Sequence, residues 1–284
     1  MNKVIYASST QEENKGRLFR MKKLEIREAN LENLDDLINL CIPSDKKDDP
    51  LFIKGVKAKK KWATRVIEKD GSIAKLAYLN SRPVGLIQYR SDPEKRLVEI
   101  DCIFVPEEEY QKKGIGKSLL KALIEDVKKQ KPILGDDIPF ALVTYAFEVP
   151  ERYPQHEFYQ RMGFKRVKED DPFLLYYPLK KEYVHVSKEE GFAPQDEDKG
   201  MALVFFSPSC PWSIYFSEKI KESIREVAPN IPIRTIDMFL ELEEVKKRGK
   251  PPACVVNGKP IETFFMDKEN FHEEVKQALK GRVY

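Results

Sequence analysis

The sequence predicts an α/β chain in two domains, and three observations carry that prediction. Strand-type alternation and helix-type apolar spacing take turns along most of the chain. A charged, glycine-bearing stretch, Ser187-Lys-Glu-Glu-Gly191 with Gln195-Asp-Glu-Asp-Lys-Gly200, breaks that succession with linker chemistry. The length, 284 residues, suits two domains of about 150 residues each.

The elements follow in order. Residues 1–20 are a polar lead-in, and Met21-Lys-Lys-Leu-Glu-Ile-Arg27 alternates as a first strand, with Met21 a candidate initiator. Leu31, Leu34, Leu37 and Ile38 recur at helical spacing, and a second helix covers 51–69 before Asp70-Gly71. Strands over Ile73–Leu79 and Val84–Tyr89 flank an Asn80-Ser-Arg-Pro83 turn, and a long third strand, Arg96–Val105, stops at Pro106. Ile115, Leu119, Leu120, Leu123, Ile124 and Val127 line one face of a helix. Phe140–Tyr145 is a buried-type strand; a short helix at 154–162 ends at Gly163, and strand-like sequence runs from Phe164 to Leu179. Beyond the linker come a strand at Met201–Phe206, a helix over 211–227, a strand at Ile231–Asp237 and a helix at 239–248. Ala253–Val256 then turns at Asn257-Gly258 into a returning strand, Ile261–Phe265, and the last helix carries Phe271, Val275 and Leu279. The two halves differ in pattern, so they are not internal repeats.

Composition excludes several classes. Hydrophobic residues make up 41% and aromatics 11%, enough for a sizeable core and too many for a disordered chain. No apolar run approaches the roughly 18 residues of a membrane span, and the N-terminus is too polar for a signal peptide. With 50 basic and 47 acidic residues the net charge is +3 and the signs are interspersed, unlike a nucleic-acid binder. Lys57-Ala-Lys-Lys-Lys61, beside Val56, Trp62 and Val66, reads as a solvated helix face. Cys41, Cys102, Cys210 and Cys254, like His156, His185 and His272, are too scattered for a disulfide framework or a zinc site. Reduced thiols in a cytoplasm are the expectation.

Between the third strand and the helix lies Gln111-Lys-Lys-Gly114-Ile-Gly116-Lys117-Ser118. A Walker A loop would need glycine where Gln111 stands, and a dinucleotide fingerprint a small residue at Leu119. A third reading needs only what is present: Gly114 and Gly116 let backbone amides close on a pyrophosphate at the positive helix end, with Lys112, Lys113 and Lys117 adding charge. A plain helix-starting turn is the alternative.

These residues resemble the GNAT N-acetyltransferases, whose acetyl-CoA motif Gln/Arg-x-x-Gly-x-Gly/Ala is matched by Gln111, Gly114 and Gly116. Phe158-Tyr159-Gln-Arg-Met-Gly163-Phe164 is similar to the family's Phe-Tyr-x-x-x-Gly-Phe. The resemblance spans about 21–183 and implies a mixed, mostly antiparallel sheet flanked by helices. It further implies pantetheine pairing near Ile103 and Val105, and pyrophosphate amides from 111–117, Ile115 included. The acetyl group of the co-substrate acetyl-CoA would pass directly to an amine, with no acyl-enzyme. Glu107-Glu-Glu-Tyr110 makes the approach to Gln111 about two residues longer than the common version of the motif.

Amide formation from a thioester needs a base to take the amine proton and an acid to meet the departing thiolate. Glu99 and Asp101, alternating on the strand that leads to the cofactor, are candidate bases, with ordinary solvent-facing strand residues or salt bridges the alternative. Tyr159 matches the position that often supplies the acid in the family; a core aromatic is its alternative. Cys102, alternating with Ile100 and Phe104, reads as core.

In the second domain, Ser207-Pro-Ser-Cys210-Pro-Trp-Ser213 stands at a strand-to-helix junction where thioredoxins carry Cys-x-x-Cys; here it is Cys-x-x-Ser. Gly249-Lys-Pro-Pro252 resembles the segment with the thioredoxin cis-proline, Pro252 being the matching position and Pro251–Pro252 the cis bond. Residues 201–284 thus resemble a smaller, thioredoxin-like α/β domain of the kind found as a C-terminal YoaP-like domain in GNAT proteins. Cys210 would be a reactive thiolate at a helix start, while Cys254 reads as a buried strand cysteine. Ser213 cannot act as a resolving thiol. The organisation expected is therefore an extension at 1–20, an acetyltransferase domain at 21–183, a linker at 184–200 and the thioredoxin-like domain at 201–284. The function expected is acetyl-CoA-dependent N-acetyl transfer. The rival is a non-catalytic acyl-CoA-responsive or monothiol, thiol- or metal(loid)-binding interaction protein.

Overall fold

The computed structural model describes residues 24–129, 137–146, 153–186 and 191–280. The expected extension at 1–20 and Met21 lie outside the described residues. The chain divides into two units, one comprising residues 1–41 and 63–187, the other 42–62 and 188–284.

In the first unit β1 (Leu24–Glu28) and α1 (Leu34–Asn39) precede α2 (Pro50–Asp70), whose residues from Ala63 onward belong here. Asp49 starts α2: its Oδ1 accepts the amides of Leu51 and Phe52 at 2.9 and 3.2 Å, and Pro50 fills the first position, where no N–H is needed. Then come β2 (Ala74–Leu79), β3 (Arg82–Asp92), β4 (Leu97–Phe104), α3 (Ile115–Val127), β5 (Ala141–Tyr145), α4 (Gln155–Arg161), β6 (Lys165–Arg166) and β7 (Leu174–Pro178). The sheet runs β1-β2-β3-β4-β5-β7-β6, antiparallel throughout except for the parallel β4–β5 pair. This is the mixed, mostly antiparallel sheet that was expected.

Its two faces have separate cores. All six predicted apolar residues of α3 are buried, packed with Tyr89, Val98, Ile100, Leu142 and Leu175. The opposite face gathers Leu97, Ala141, Val143 and Tyr176. Two features open the sheet at its centre. Gln88 pairs with Cys102 but Tyr89 pairs with Ile100, so Asp101 is an extra residue that bulges β4. The β4–β5 ladder ends at Ile100–Thr144, while β4 continues to Phe104 and β5 only to Tyr145. Beyond Ile100 the two strands part.

The second unit contains β8 (Ala202–Phe206), α5 (Pro211–Val227), β9 (Ile233–Asp237), α6 (Leu242–Lys247), β10 (Cys254–Val256), β11 (Lys259–Ile261) and α7 (Lys268–Lys280). Its sheet has the order β11-β10-β8-β9, with β8 and β9 parallel and the other pairs antiparallel. Ile220, Ile224, Phe271 and Val275 cover Val204, Cys254 and Val256 on one face.

Four expectations need correction. The described residues contain no cis peptide bond, so Pro251–Pro252 is trans. Trans is favoured by about 0.5–1 kcal/mol for an X-Pro bond, and here the trans chain still enters β10 with the Ala253 carbonyl accepting the Phe205 amide at 3.1 Å. The returning strand is Lys259–Ile261 rather than 261–265. Asn257 and Gly258, both at positive φ, form a two-residue turn that pairs Val256 with Lys259, and the Glu274 carboxylate then captures the Glu262 and Thr263 amides.

The third correction concerns the linker at 184–200, which is docked onto the second unit from residue 191. Phe192 bridges to Gly249, and Asp198 forms a fully buried ion pair with Arg248 at 2.6 Å. The acidic run that read as linker thus supplies the partner of a buried guanidinium. Finally, residues 42–62 group with the second unit, outside the linear span 21–183. Phe52, fully buried, meets the rings of Trp212 and Tyr215 at 5.0 and 6.2 Å. A Cβ on Gly55 would come within 2.6 Å of the Pro211 carbonyl oxygen, so only glycine allows that approach.

Candidate active site

The loop after β4 is a short 3-10 turn, Glu108–Tyr110, followed by Gln111–Gly114. The turn absorbs the extra residues in 107–110. Gln111 ties the loop back to the strand, donating from Nε2 to the Val105 carbonyl at 3.0 Å. Lys112 and Gly114 both have positive φ, +57° and +79°, and Gly114 caps α3 with no side-chain cap hydrogen bond. The first-turn amides of α3, from Ile115 to Lys117, thus face outward at the positive end of a 13-residue helix.

A Cβ on Gly114 would meet nothing within 4 Å, and one on Gly116 would lie 3.7 Å from Ile103 and Phe158. Gly114 is therefore demanded by backbone conformation. Gly116 is demanded by neither conformation nor packing, and it leaves the first turn of α3 without a side chain there. Lys112, Lys113 and Lys117 are exposed around it. Ile103 and Val105 lie partly buried on β4 and its extension, past the point where β5 departs.

Tyr159 is 1% exposed, between the rings of Phe158 and Phe164. Its hydroxyl hydrogen-bonds with Thr144, whose own hydroxyl donates to the Ile100 carbonyl at 3.1 Å. The chain Tyr159–Thr144–Ile100 therefore ends where β4 and β5 separate. Burial pushes the Tyr159 pKa up, outweighing the hydrogen bond with Thr144, so the phenol stays protonated.

Glu99 and Asp101 meet on one guanidinium. Arg90 donates from Nη1 to Asp101 at 2.6 Å and from Nη2 to Glu99, its direct cross-strand partner. Gln88, 2% exposed, places Nε2 3.5 Å from the other Asp101 oxygen. Because Tyr89 and Ile100 pack with α3, Arg90 and Glu99 lie on the opposite face. On that face His185 places Nδ1 3.0 Å from the Tyr183 hydroxyl. Its pKa is lowered by burial, against the pull of the Glu99 carboxylate. Arg90, Thr144 and His185 were missed in the sequence. Only Arg90 left a signal, as a basic residue on a strand facing an acidic one.

In the second unit Cys210, part-exposed, caps α5 with extended backbone, and Pro211 follows at the first helical position. Ser213 Oγ accepts the Ser207 amide at 2.9 Å, so that hydroxyl braces the turn. Pro252 and Cys254 line a cavity of about 210 Å³ with Ile220, Phe264, Phe265 and Phe271. Burial pushes the Cys254 thiol up to about 12. Among the described residues no three His, Cys, Asp or Glu side chains cluster to hold a metal ion, and no helix is long and apolar enough to cross a membrane.

Residues 70–166 match the acetyltransferase (GNAT) domain family. No curated protein matches the chain in sequence. Among solved structures, the chain is similar to the PaiA N-acetyltransferase of Thermoplasma acidophilum in complex with coenzyme A, at 20% identity over 55% of this chain and 98% of that one, TM-score 0.39. It is similar to a GNAT-family acetyltransferase of Staphylococcus aureus Mu50, at 20% identity over 55% and 99% of the two chains, TM-score 0.41. N-acetylglutamate synthase of Neisseria gonorrhoeae, complexed with coenzyme A and L-arginine, shares 16% identity over 56% of this chain and 34% of its own, TM-score 0.36.

Proposed function

We propose that the first unit is an acyltransferase that moves the acetyl group of acetyl-CoA directly onto an amine. The observation that carries the reading is the glycine loop inside the 70–166 family match: outward amides at the start of α3, no side chain at Gly116, and three exposed lysines. These fit a pyrophosphate. The β4 edge at Ile103 and Val105, left by β5, fits an extended pantetheine arm bonded as an added strand.

In this reading Glu99 or Asp101 takes the proton of the acceptor amine, directly or through a water. The amine nitrogen forms the C–N bond as the thioester C–S bond breaks. Tyr159, kept protonated by burial, donates its hydroxyl hydrogen bond, and finally its proton, to the leaving thiolate. No cysteine takes part, so Cys102 stays a strand residue beside the path.

The second unit is read as a thioredoxin-like module. Its strand order and the placement of Cys210 at the start of α5 support this; Ser213 and the trans Pro251–Pro252 bond depart from a dithiol enzyme. Its role is that of a scaffold, with Cys210 as a monothiol.

The test is to incubate the full chain with acetyl-CoA and cadaverine, a lysine peptide or an aminoglycoside, and to follow free CoA. Amine-dependent release supports the transferase. Acetyl-CoA binding without release from any amine favours the non-catalytic rival.

A further inference from the structure

Deepening the transferase reading, and resting on it, we infer that Arg90 is a positioning residue that clamps Glu99 and Asp101 on the acceptor side of the sheet. The two carboxylates flank the point where β4 loses register. Glu99 is still held by the ladder, opposite Arg90 itself, whereas Asp101 is the extra, bulged residue at which the register shifts. A bulge disrupts the ladder locally and re-aims the side chain it carries. The Arg90 fork supplies what the ladder does not, one nitrogen to each carboxylate. A planar guanidinium can span two carboxylates at once, which a lysine ammonium cannot do with the same geometry.

The clamp is separate from the cofactor loop. Tyr89 and Ile100, the neighbours of Arg90 and Glu99, pack with α3, so the clamp faces away from the glycine loop. Other charged groups meet it there. Glu99 and Lys95 both lie near His185, Asp92 near Arg90, and Gln88 touches Asp101. The Arg90 side chain is 55% exposed, so the fold does not depend on its burial.

This placement predicts a split in the kinetics. With cadaverine as acceptor, Arg90→Gln should lower kcat by about 10–100-fold, the scale of an ångström-sized misplacement. The KM for acetyl-CoA should stay within about twofold and the melting temperature should hold. Arg90→Lys, which keeps the charge but not the fork, should fall between Arg90→Gln and wild type. In a Glu99→Gln/Asp101→Asn background, Arg90→Gln should cost nothing further, because no carboxylate remains to be held.

An undiminished kcat in Arg90→Gln overturns the inference. So does an equal loss in both backgrounds, or a loss that appears as weaker acetyl-CoA binding. These results leave the transferase reading standing, since wild type still turns over. A wild type that binds acetyl-CoA but transfers to no amine removes that reading, and the clamp with it.

Discussion

Each unit places a strand-to-helix turn at the end of an interior strand of its sheet, and the two turns solve the same local problem in different ways. Both leave the first amides of a long helix without an intrahelical partner. After β4 the turn is built from Gly114 and Gly116, and no side chain caps α3. After β8 the turn is filled with its own polar groups. Ser213 Oγ takes the Ser207 amide, Ser207 Oγ takes the Ser209 amide, and the Cys210 carbonyl takes the Ser213 amide. Neither helix start has a side-chain cap, but the second turn bonds its own loop amides and presents a sulfur at the start of α5. The two turns thus differ in what fills them, glycines that bring no side chain after β4 and serines that bond the loop's own backbone after β8.

The sharpest break is expected at Tyr159, the acid of the proposed reaction. Tyr159→Phe removes only the hydroxyl, so turnover should fall by about 10²–10⁴-fold while acetyl-CoA affinity holds. A loss below tenfold makes Tyr159 a core aromatic. The thiol contrast comes next. Iodoacetamide near pH 7 should alkylate part-exposed Cys210 at least about 100-fold faster than Cys254, which is 1% exposed and whose thiol is pushed up to about 12. Equal rates would remove the special standing of the α5 turn.

A smaller effect separates the two glycines. Gly114→Ala puts a Cβ at φ +79° and should destabilise the protein by about 1–2 kcal/mol even without ligand. Gly116→Ala is free of that strain and of any close contact, so it should leave the melting temperature of the free protein unchanged or raised. Its cost should appear only as weaker acetyl-CoA binding. A Gly116→Ala protein that is itself destabilised would mean the glycine serves the fold.

The smallest effect concerns the frame behind the second turn. Glu244 is held down to about 2 by its hydrogen bonds to Lys247 and then Arg248, against a usual value of 4.5. A depressed carboxylate stabilises the fold above its unfolded pKa, and that stability is lost as pH falls from about 4.5 toward 2. The melting temperature should therefore fall through that window, and Glu244→Gln should flatten the acid slope. An unchanged slope would mean Glu244 is not coupled to folding.

Much of this was legible from local pattern. The six apolar residues of α3 are all buried, and the Asn80-Ser81 and Asn257-Gly258 turns both take the positive φ their residues favour. What was not legible depended on partners distant in sequence. Glu99 and Asp101 alternate as if on a regular strand, and nothing local reveals that Asp101 is bulged or that Arg90 joins them. Asp198 sits in a run that reads as linker until Arg248, fifty residues later, is brought to it. Phe52 and Gly55 belong to a helix whose first turns pack on α5, a contact that periodicity cannot assign to one unit or the other. The burial of Tyr159 follows from its neighbours Phe158 and Phe164, but its link to Thr144 does not.

The measurement closest to the central claim is calorimetric titration of acetyl-CoA into wild type and Gly116→Glu. The added carboxylate would place a negative charge at the start of α3, where it repels a phosphate. Saturable binding to wild type, abolished in a Gly116→Glu protein that keeps its melting temperature, is the predicted result. Equal affinity in the two proteins would place acetyl-CoA elsewhere and contradict the account.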